Sequence, residues 1–382
     1  MQLALNEDER AIQDMARQFA REQIAPFAAE WAAAGGFPRT LLTQMAESEL
    51  LGVPFPEAFG GAGLSFLAYI LVLEAISTGD AGVGVTLAVH SSAATYPIQR
   101  YGTDEQKQRY LTLLASGKGI GAFALTEPNS GSDAAALQLS AKRDGDVWVL
   151  NGTKQWITNG EFASLFIVFA RTTQGSTGAK GVSCFLVERD TAGLSVMPGA
   201  KKMGLHSSCT NDIVFEHVRV PHANLLGTQD AGFPIAMDTL DGGRIGIAAQ
   251  ACGIAQAALD ASVRYVKERS AFGKPISDFQ AIQWKLADMA TQLDAARLLT
   301  HKAAWLKDQG QPHTQAGAMA KLFASRVARE VTNEAVQIHG GYGYMSEFPV
   351  ERYYRDAKVT EIYEGTSEIQ RIVIARNLLQ TP

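Results

Sequence analysis

Cysteine is scarce in this chain. Three occur in 382 residues, Cys184, Cys209 and Cys252, widely spaced and with no C-x-x-C pair. An odd, scattered set builds neither a disulfide framework nor a zinc site, so the thiols read as the reduced cysteines of a cytoplasmic protein. Strong charge of one sign is missing too. The net charge is −5 and no long basic run occurs, which removes the usual footprint of a nucleic-acid binder. The longest plainly apolar run, Phe66 to Leu73, is far too short to cross a bilayer. The first residues include Glu7, Asp8 and Glu9 and no apolar stretch, so neither a signal peptide nor a transit peptide is expected. The histidines, at 90, 206, 217, 222, 301, 313 and 339, form no H-x-x-x-H pair, and no metal site is expected. There is no P-loop and no G-x-S-x-G elbow. One G-x-G-x-x-A match, Gly119 to Ala124, leads into Thr126-Glu127-Pro128 and not into a long helix, so the Rossmann context fails.

What is present changes period twice along the chain. The length leaves room for two or three domains. Residues 1–120 read as helices, with Ile12, Met15, Phe19 and Ile24 near a helical repeat and Thr40 to Leu51 and Phe66 to Ile76 following. Residues 121–230 switch to short β-rich runs around Val147 to Leu150, Leu165 to Ala170, Cys184 to Val187 and Ile213 to Phe215. Asp144-Gly145 and Asn151-Gly152 between them are turn chemistry. This predicts a compact antiparallel β unit, a small barrel or sandwich. Residues 231–382 return to long helices: Ile282, Leu286, Met289, Leu293 and Ala296 form one apolar stripe, which suggests a four-helix bundle. The predicted class is therefore α+β and multidomain, in the order α, β, α.

Three stretches carry chemistry. In Glu361-Ile362-Tyr363-Glu364-Gly365-Thr366-Ser367-Glu368, a carboxylate stands between an aromatic residue and a glycine. Desolvation there would raise its pKa toward that of a working base. Alone, the stretch also reads as a plain helix start capped by Thr366 or Ser367. The loop Phe123-Ala124-Leu125-Thr126-Glu127-Pro128-Asn129-Ser130-Gly131-Ser132-Asp133 gathers hydroxyls, glycine and backbone N–H groups that can cradle a diphosphate, although a surface turn has the same composition. In Lys154-Gln155-Trp156-Ile157-Thr158-Asn159-Gly160, an indole lies two residues from a hydroxyl, on one side of an extended segment. That pairing suits a flat heterocycle, and also ordinary packing of Trp156.

Taken together with Arg269 and Phe272-Gly273, and with Gln337-Ile338-His339-Gly340-Gly341, these motifs resemble the acyl-CoA dehydrogenase family. The resemblance covers nearly the whole chain, in order. It looks closest to the short-chain, butyryl-type members, above all in Gly243 to Ala248 and Glu351 to Ile374. It implies an N-terminal helical domain over 1–120, a middle β-barrel domain over 121–230 and a C-terminal four-helix bundle over 231–382 that carries the base. It implies FAD as cofactor. Phe123, Leu125 and Thr126 would lie along the isoalloxazine, Ser132 would reach the diphosphate, Trp156 and Ile157 would sit near the flavin, and Thr158 would bond toward N5. Arg269, Phe272, Gln280, Gln337, Gly340 and Gly341 match positions that a neighbouring subunit donates, and Thr366 and Glu368 match a further FAD contact. A shared cofactor implies a homodimer, usually doubled to a tetramer.

For substrate, the resemblance implies a short-chain acyl-CoA touched by Asp241, Arg244, Tyr363 and Gly365, with Gln250 and Thr360 closing the floor of the acyl cavity. Arg244 also lies three residues from Asp241, where a simple salt bridge forms. Glu364 would remove the proton α to the thioester while the β-hydrogen leaves as hydride to the flavin, giving a trans-2-enoyl-CoA as in fatty-acid β-oxidation. Electrons would pass to an electron-transferring flavoprotein. In some relatives the base stands near position 243; glycine there leaves Glu364 as the candidate. From Gly79 to Gln99 there is no Arg or Lys, which argues against a dicarboxyl substrate. Asn129, His206 and His217-Val218 depart from the common family pattern. Three other readings remain beside this one: a short branched-chain dehydrogenase, an oxygen-reacting oxidase, and a non-catalytic binding protein on the same fold.

Overall fold

The computed structural model describes residues 4–380, so residues 1–3 and 381–382, the outer ends of the two terminal domains expected from sequence, lie outside the described residues. The first helix, Glu7–Phe19, begins at a reciprocal cap in which Asn6 Oδ1 accepts from Glu9 N at 2.8 Å and Glu9 Oε2 accepts from Asn6 N at 3.0 Å. Helix Phe66–Gly79 is capped by Ser65, whose Oγ accepts from Ala68 N at 3.0 Å. It is buried on nearly every side from Ala68 to Ser77, as its almost wholly apolar sequence requires. Asp80 ends it and caps the next helix, Ala81–Ala88, by accepting from Gly82 N at 2.8 Å and Val83 N at 3.0 Å. That helix widens into a π-helical turn over Val89–Thr95, which carries Ser91 and Ser92.

The middle of the chain forms eight strands: β1 Gly121–Ala124, β2 Ser140–Asp144, β3 Val147–Thr158, β4 Leu165–Arg171, β5 Val182–Glu188, β6 Leu194–Val196, β7 Thr210–Pro221 and β8 Leu225–Leu226. They pair in the order β6-β7-β3-β2-β4-β5-β8, with β1 beside β4. The pairings are antiparallel except that β1 runs parallel to β4, from Gly121 opposite Leu165 to Ala124 opposite Val168, and β2 meets β4 parallel at Ser140. The all-antiparallel expectation is therefore corrected: β1 enters from the helical domain, and the chain runs through β2 and β3 before β4, so β1 and β4 run the same way. β4 is buried on both faces. Phe166, Val168 and Ala170 join Trp148, Phe185 and Phe215 in one cluster, while Leu165, Ile167 and Phe169 pack with Ile98, Leu111 and Leu114.

Helices Gly232–Glu268, Gln280–Asp308 and Thr314–His339 build the C-terminal bundle, and the shorter Ser367–Gln380 lies along the third of them. The stripe read from sequence is buried at Met289, Leu293 and Ala296 and only partly at Ile282 and Leu286, which pack at the edge of the same core. The bundle does not keep a core of its own. Tyr69, Ile70 and Leu73 share one cluster with Ile245, Ala248, Ala249, Met289 and Val327. Gly253 permits this, since a Cβ there would meet Glu74 O at 2.4 Å. A loop of the β domain locks the joint: Asp80 Oδ1 accepts from Ser207 Oγ, and Asp356 Oδ1 accepts from Leu205 N at 2.6 Å.

Candidate active site

Glu364 sits in the turn between Val359–Glu361 and the final helix. Its φ is +51° and that of Gly365 is +88°, two successive left-handed residues. The second suits glycine; the first is strained for glutamate, and strain held in place by its surroundings marks functional turns. The turn is held from below. Lys321 Nζ donates to Gly365 O at 2.5 Å, and Gln370 Nε2 donates to the same oxygen at 2.7 Å. The Glu364 backbone N–H makes no hydrogen bond among the described residues.

The carboxylate points at the Gly232–Glu268 helix. A Cβ built on Gly243 would fall 2.1 Å from Glu364 Oε2. Oε2 is buried and has no hydrogen-bond partner. Burial pushes the Glu364 pKa up to about 7, against the pull of Lys321 and Arg244. Beside it, the Tyr363 hydroxyl donates to Gln250 Oε1, and Gln250 Nε2 donates to Ala81 O at 2.8 Å. Gln250 is fully buried with its amide satisfied, so it is not a solvated helix residue. Thr360 is buried and donates to Ala357 O at 2.7 Å. Arg244 is buried and pairs with Asp241, whose other oxygen accepts from Thr314 Oγ1 at 2.5 Å. Arg244 Nε stays buried without a partner, so the salt bridge leaves one donor available.

A cavity of about 430 Å³ runs in from the surface at Lys307, Asp308 and His313 to Ser92 and Tyr69. Tyr69 is its inner wall, and its hydroxyl would lie 3.5 Å from a Cβ on Gly246, one turn along the helix from Gly243. Tyr69 therefore stands between this cavity and the helix face toward which Glu364 points.

The cofactor candidates fall in three places. In the first, the Phe123–Asp133 loop is pinned by Glu127, which accepts from Gln138 N at 2.6 Å, Leu139 N at 2.9 Å and the buried Lys154 Nζ at 2.7 Å. Lys154 also donates to Leu125 O at 2.9 Å. Leu125 is buried, Phe123 and Thr126 are half-buried, and Ser132 is exposed. The β3 strand is not fully extended here, contrary to the sequence expectation. A bulge lies between Lys154 and Ile157, and Trp156, at φ +57°, is 61% exposed. Ile157 is buried and Thr158 half-buried. The indole is thus left largely open to solvent on left-handed backbone, while the Trp156 N–H donates to Asp212 Oδ1 at 3.1 Å. Gly131 adds to this, since a Cβ there would meet nothing within 4 Å. The residues present thus fit a flat heterocycle with a diphosphate tail.

In the second place, Arg269, Gly340 and Gly341 line a cleft of about 540 Å³ with Tyr265 and Tyr342, and the Arg269 guanidinium lies 5.5 Å from the Tyr342 ring centre. Phe272 is 96% exposed at φ +53°, and Gln280 and Gln337 are exposed. In the third, Thr366 and Glu368 line a cavity of about 880 Å³ with Arg326, Arg329 and Arg371. Sequence reasoning missed two features. Lys321 was legible only as a lone lysine in an alanine-rich helix, and the Glu127–Lys154 pair needed the sheet to bring its ends together.

Three family profiles match the chain: acyl-CoA dehydrogenase N-terminal domain over residues 6–118, middle domain over 122–218 and C-terminal domain over 230–379. The short-chain specific acyl-CoA dehydrogenase of mitochondria from Rattus norvegicus is 50% identical over 377 residues, covering 99% of this chain and 91% of that protein. The solved butyryl-CoA dehydrogenase of Megasphaera elsdenii is 45% identical with a TM-score of 0.98 over 100% of both chains. A chain solved with work on the electron-transferring flavoprotein of Acidaminococcus fermentans and flavin-based electron bifurcation is 50% identical, also with a TM-score of 0.98 over 100% of both.

Proposed function

We propose, from the premise that this chain belongs to the acyl-CoA dehydrogenase family, that it oxidises a short-chain acyl-CoA of butyryl length to the trans-2-enoyl-CoA, with Glu364 as the base. The observation that carries this reading is the carboxylate of the half-buried Glu364, whose Oε2 is buried, free of hydrogen bonds and facing a glycine that leaves room for substrate beside it. A proton α to a thioester is weakly acidic, so the base must be poised near neutral pH, and burial does this. The free Glu364 N–H is a donor for the thioester oxygen as negative charge develops there. Arg244, through Nε, and Asp241 are the polar contacts for the acyl-CoA at the helix face. Gln250 and Thr360, with Tyr363, close the far end of the acyl site. The acyl-CoA would approach by the cavity between Tyr69 and Lys307.

Acyl-CoA dehydrogenases are FAD-dependent. When bound, FAD would supply the acceptor for the β-hydrogen as hydride, and an electron-transferring flavoprotein would be the partner that takes up the electrons. Phe123, Leu125, Thr126, Ser132, Trp156, Ile157 and Thr158 would hold it on one subunit, with Thr366 and Glu368 as a further contact. Arg269, Phe272, Gln280, Gln337, Gly340 and Gly341 would come from a second copy, and the wholly exposed Phe272 supports a homodimer, doubled to a tetramer. We divide the chain into domains 1–120, 121–230 and 231–382, and place it in the cytoplasm, a reducing compartment with which its three free cysteines agree. Among the described residues no helix is long and apolar enough to cross a membrane.

The test is direct. Purified protein should carry a yellow flavin band that butyryl-CoA bleaches in the absence of oxygen. Protein without flavin, or with flavin that no acyl-CoA bleaches, would overturn the reading.

A further inference from the structure

Lys321 lies on the Thr314–His339 helix among Gly317, Ala320, Ala324 and Ala328, with its side chain wholly buried. A buried ammonium is costly unless something answers its charge. Its one hydrogen bond among the described residues goes to the carbonyl oxygen of Gly365. That oxygen already accepts from the neutral Gln370 amide at 2.7 Å. A donor to the turn is thus present without Lys321. What Lys321 adds is positive charge: among the described residues it makes no direct ion pair, its bond to Gly365 O sets the ammonium one residue from Glu364, and Glu364 is the carboxylate that pulls on it most.

The other groups around the base do not take this role. Arg244, on the helix that Glu364 faces, is already paired with Asp241. Tyr69 and Tyr363 are phenols that burial keeps neutral. Glu361, on the same turn, is bonded to Arg329 and Lys358, and Glu368 is exposed at the start of the last helix. Burial brings the two partners together in acidity: the ammonium is pulled down to about 8 and the carboxyl is pushed up to about 7.

We propose that Lys321 is the positioning residue of the base: its ammonium is the counter-charge that holds the Glu364 carboxylate ionised over Gly243, while its bond to Gly365 O steadies the left-handed turn. This rests on the reading of Glu364 as the base.

The test compares K321M and K321Q with wild type in kcat/KM for butyryl-CoA across pH 5.5–9.5, with E364Q as control. Glutamine keeps a donor for Gly365 O and drops the charge; methionine drops both. Removing one partner of a buried charge pair costs stability, so the melting temperature and flavin band of each variant are read first, and the pH profile is taken on folded, flavin-loaded protein. Both variants should move the acid limb upward by about one pH unit or more, since an opposite charge close by lowers a carboxyl pKa by about that much. The loss should be about tenfold or more at the acid end and shrink toward pH 9. A lysine with a merely structural role would lower kcat/KM by one factor at all pH values, and an unmoved limb in both variants overturns the proposal. Where turnover is too low for a profile, the infrared carboxyl band that E364Q removes is titrated instead, with the same shift expected. Activity retained in E364Q would overturn the base assignment itself, a different result from an unmoved limb in the Lys321 variants.

Discussion

The carboxylate of Glu364 stands in the space that a side chain on Gly243 would fill, 2.1 Å from Oε2 to the position of a Cβ there. The two residues are far apart in sequence, and the smallness of one is a condition for the placement of the other.

Gly243→Ala should therefore damage chemistry and spare the fold. The added methyl group would also meet Glu364 Cδ at 3.0 Å, so the carboxylate must shift by about an ångström. A misplacement of that size costs about 100-fold in rate. Helix propensity meanwhile favours alanine by about 1 kcal/mol. The expected outcome is a kcat for butyryl-CoA down about 100-fold with an unchanged or higher melting temperature; an unchanged kcat would show that the carboxylate does not depend on this space.

Glu364→Gln should keep the flavin and lose dehydrogenation by several orders of magnitude, because an amide cannot take the α-proton. In wild type the ionised form is active, so kcat/KM should fall as pH drops below about 7. Stability carries the opposite sign. The native carboxyl holds its proton more tightly than the unfolded one, so its contribution is present at low pH and is lost as pH rises toward 7. Melting curves should show the Gln variant gaining on wild type at pH 8 and not at pH 4. A variant that is less stable at pH 8 would contradict the burial of an ionised base.

Chain-length preference should be short. Gln250 is anchored at both ends of its amide, by Ala81 O and the Tyr363 hydroxyl, so it cannot swing aside for a longer chain. Each methylene that found room would gain about 0.8 kcal/mol, so a preference for short chains requires a physical stop. Wild type should favour butyryl-CoA over hexanoyl-, octanoyl- and isobutyryl-CoA in kcat/KM. Gln250→Gly should shift the balance toward longer chains and lower the overall rate, since Tyr363, next to the base, loses its partner. An octanoyl preference in wild type would refute the short-chain assignment, and an isobutyryl preference would point to a branched substrate.

Arg269→Ala should weaken flavin retention and the dimer together. Among the described residues the guanidinium makes no ion pair and lies beside the Tyr342 ring in an open cleft, while its charge suits a diphosphate held by a second copy. After extensive dialysis, the variant should lose flavin absorbance and elute later than wild type from a sizing column. Full flavin content with an unchanged elution volume would remove Arg269 from that role.

The α, β, α order was legible in the sequence because hydrophobic period is local: the Met289, Leu293 and Ala296 stripe and the Leu165 to Ala170 run declare helix and strand without help from the rest of the chain. Glu364 was legible for a similar reason, since its neighbours Tyr363 and Gly365 already describe an apolar turn. Tertiary structure decided what depends on distant residues meeting in space. It placed Gly243 under the Glu364 carboxylate, turned Gln250 into a double anchor between Ala81 and Tyr363, and brought Lys321 to the Gly365 carbonyl. It also made the Phe66–Gly79 helix part of the same core as the C-terminal bundle and ran β1 parallel to β4. Whether a carboxylate is a base depends on its desolvation and on the charges near it, and both are set by the packing of residues that no sequence window contains.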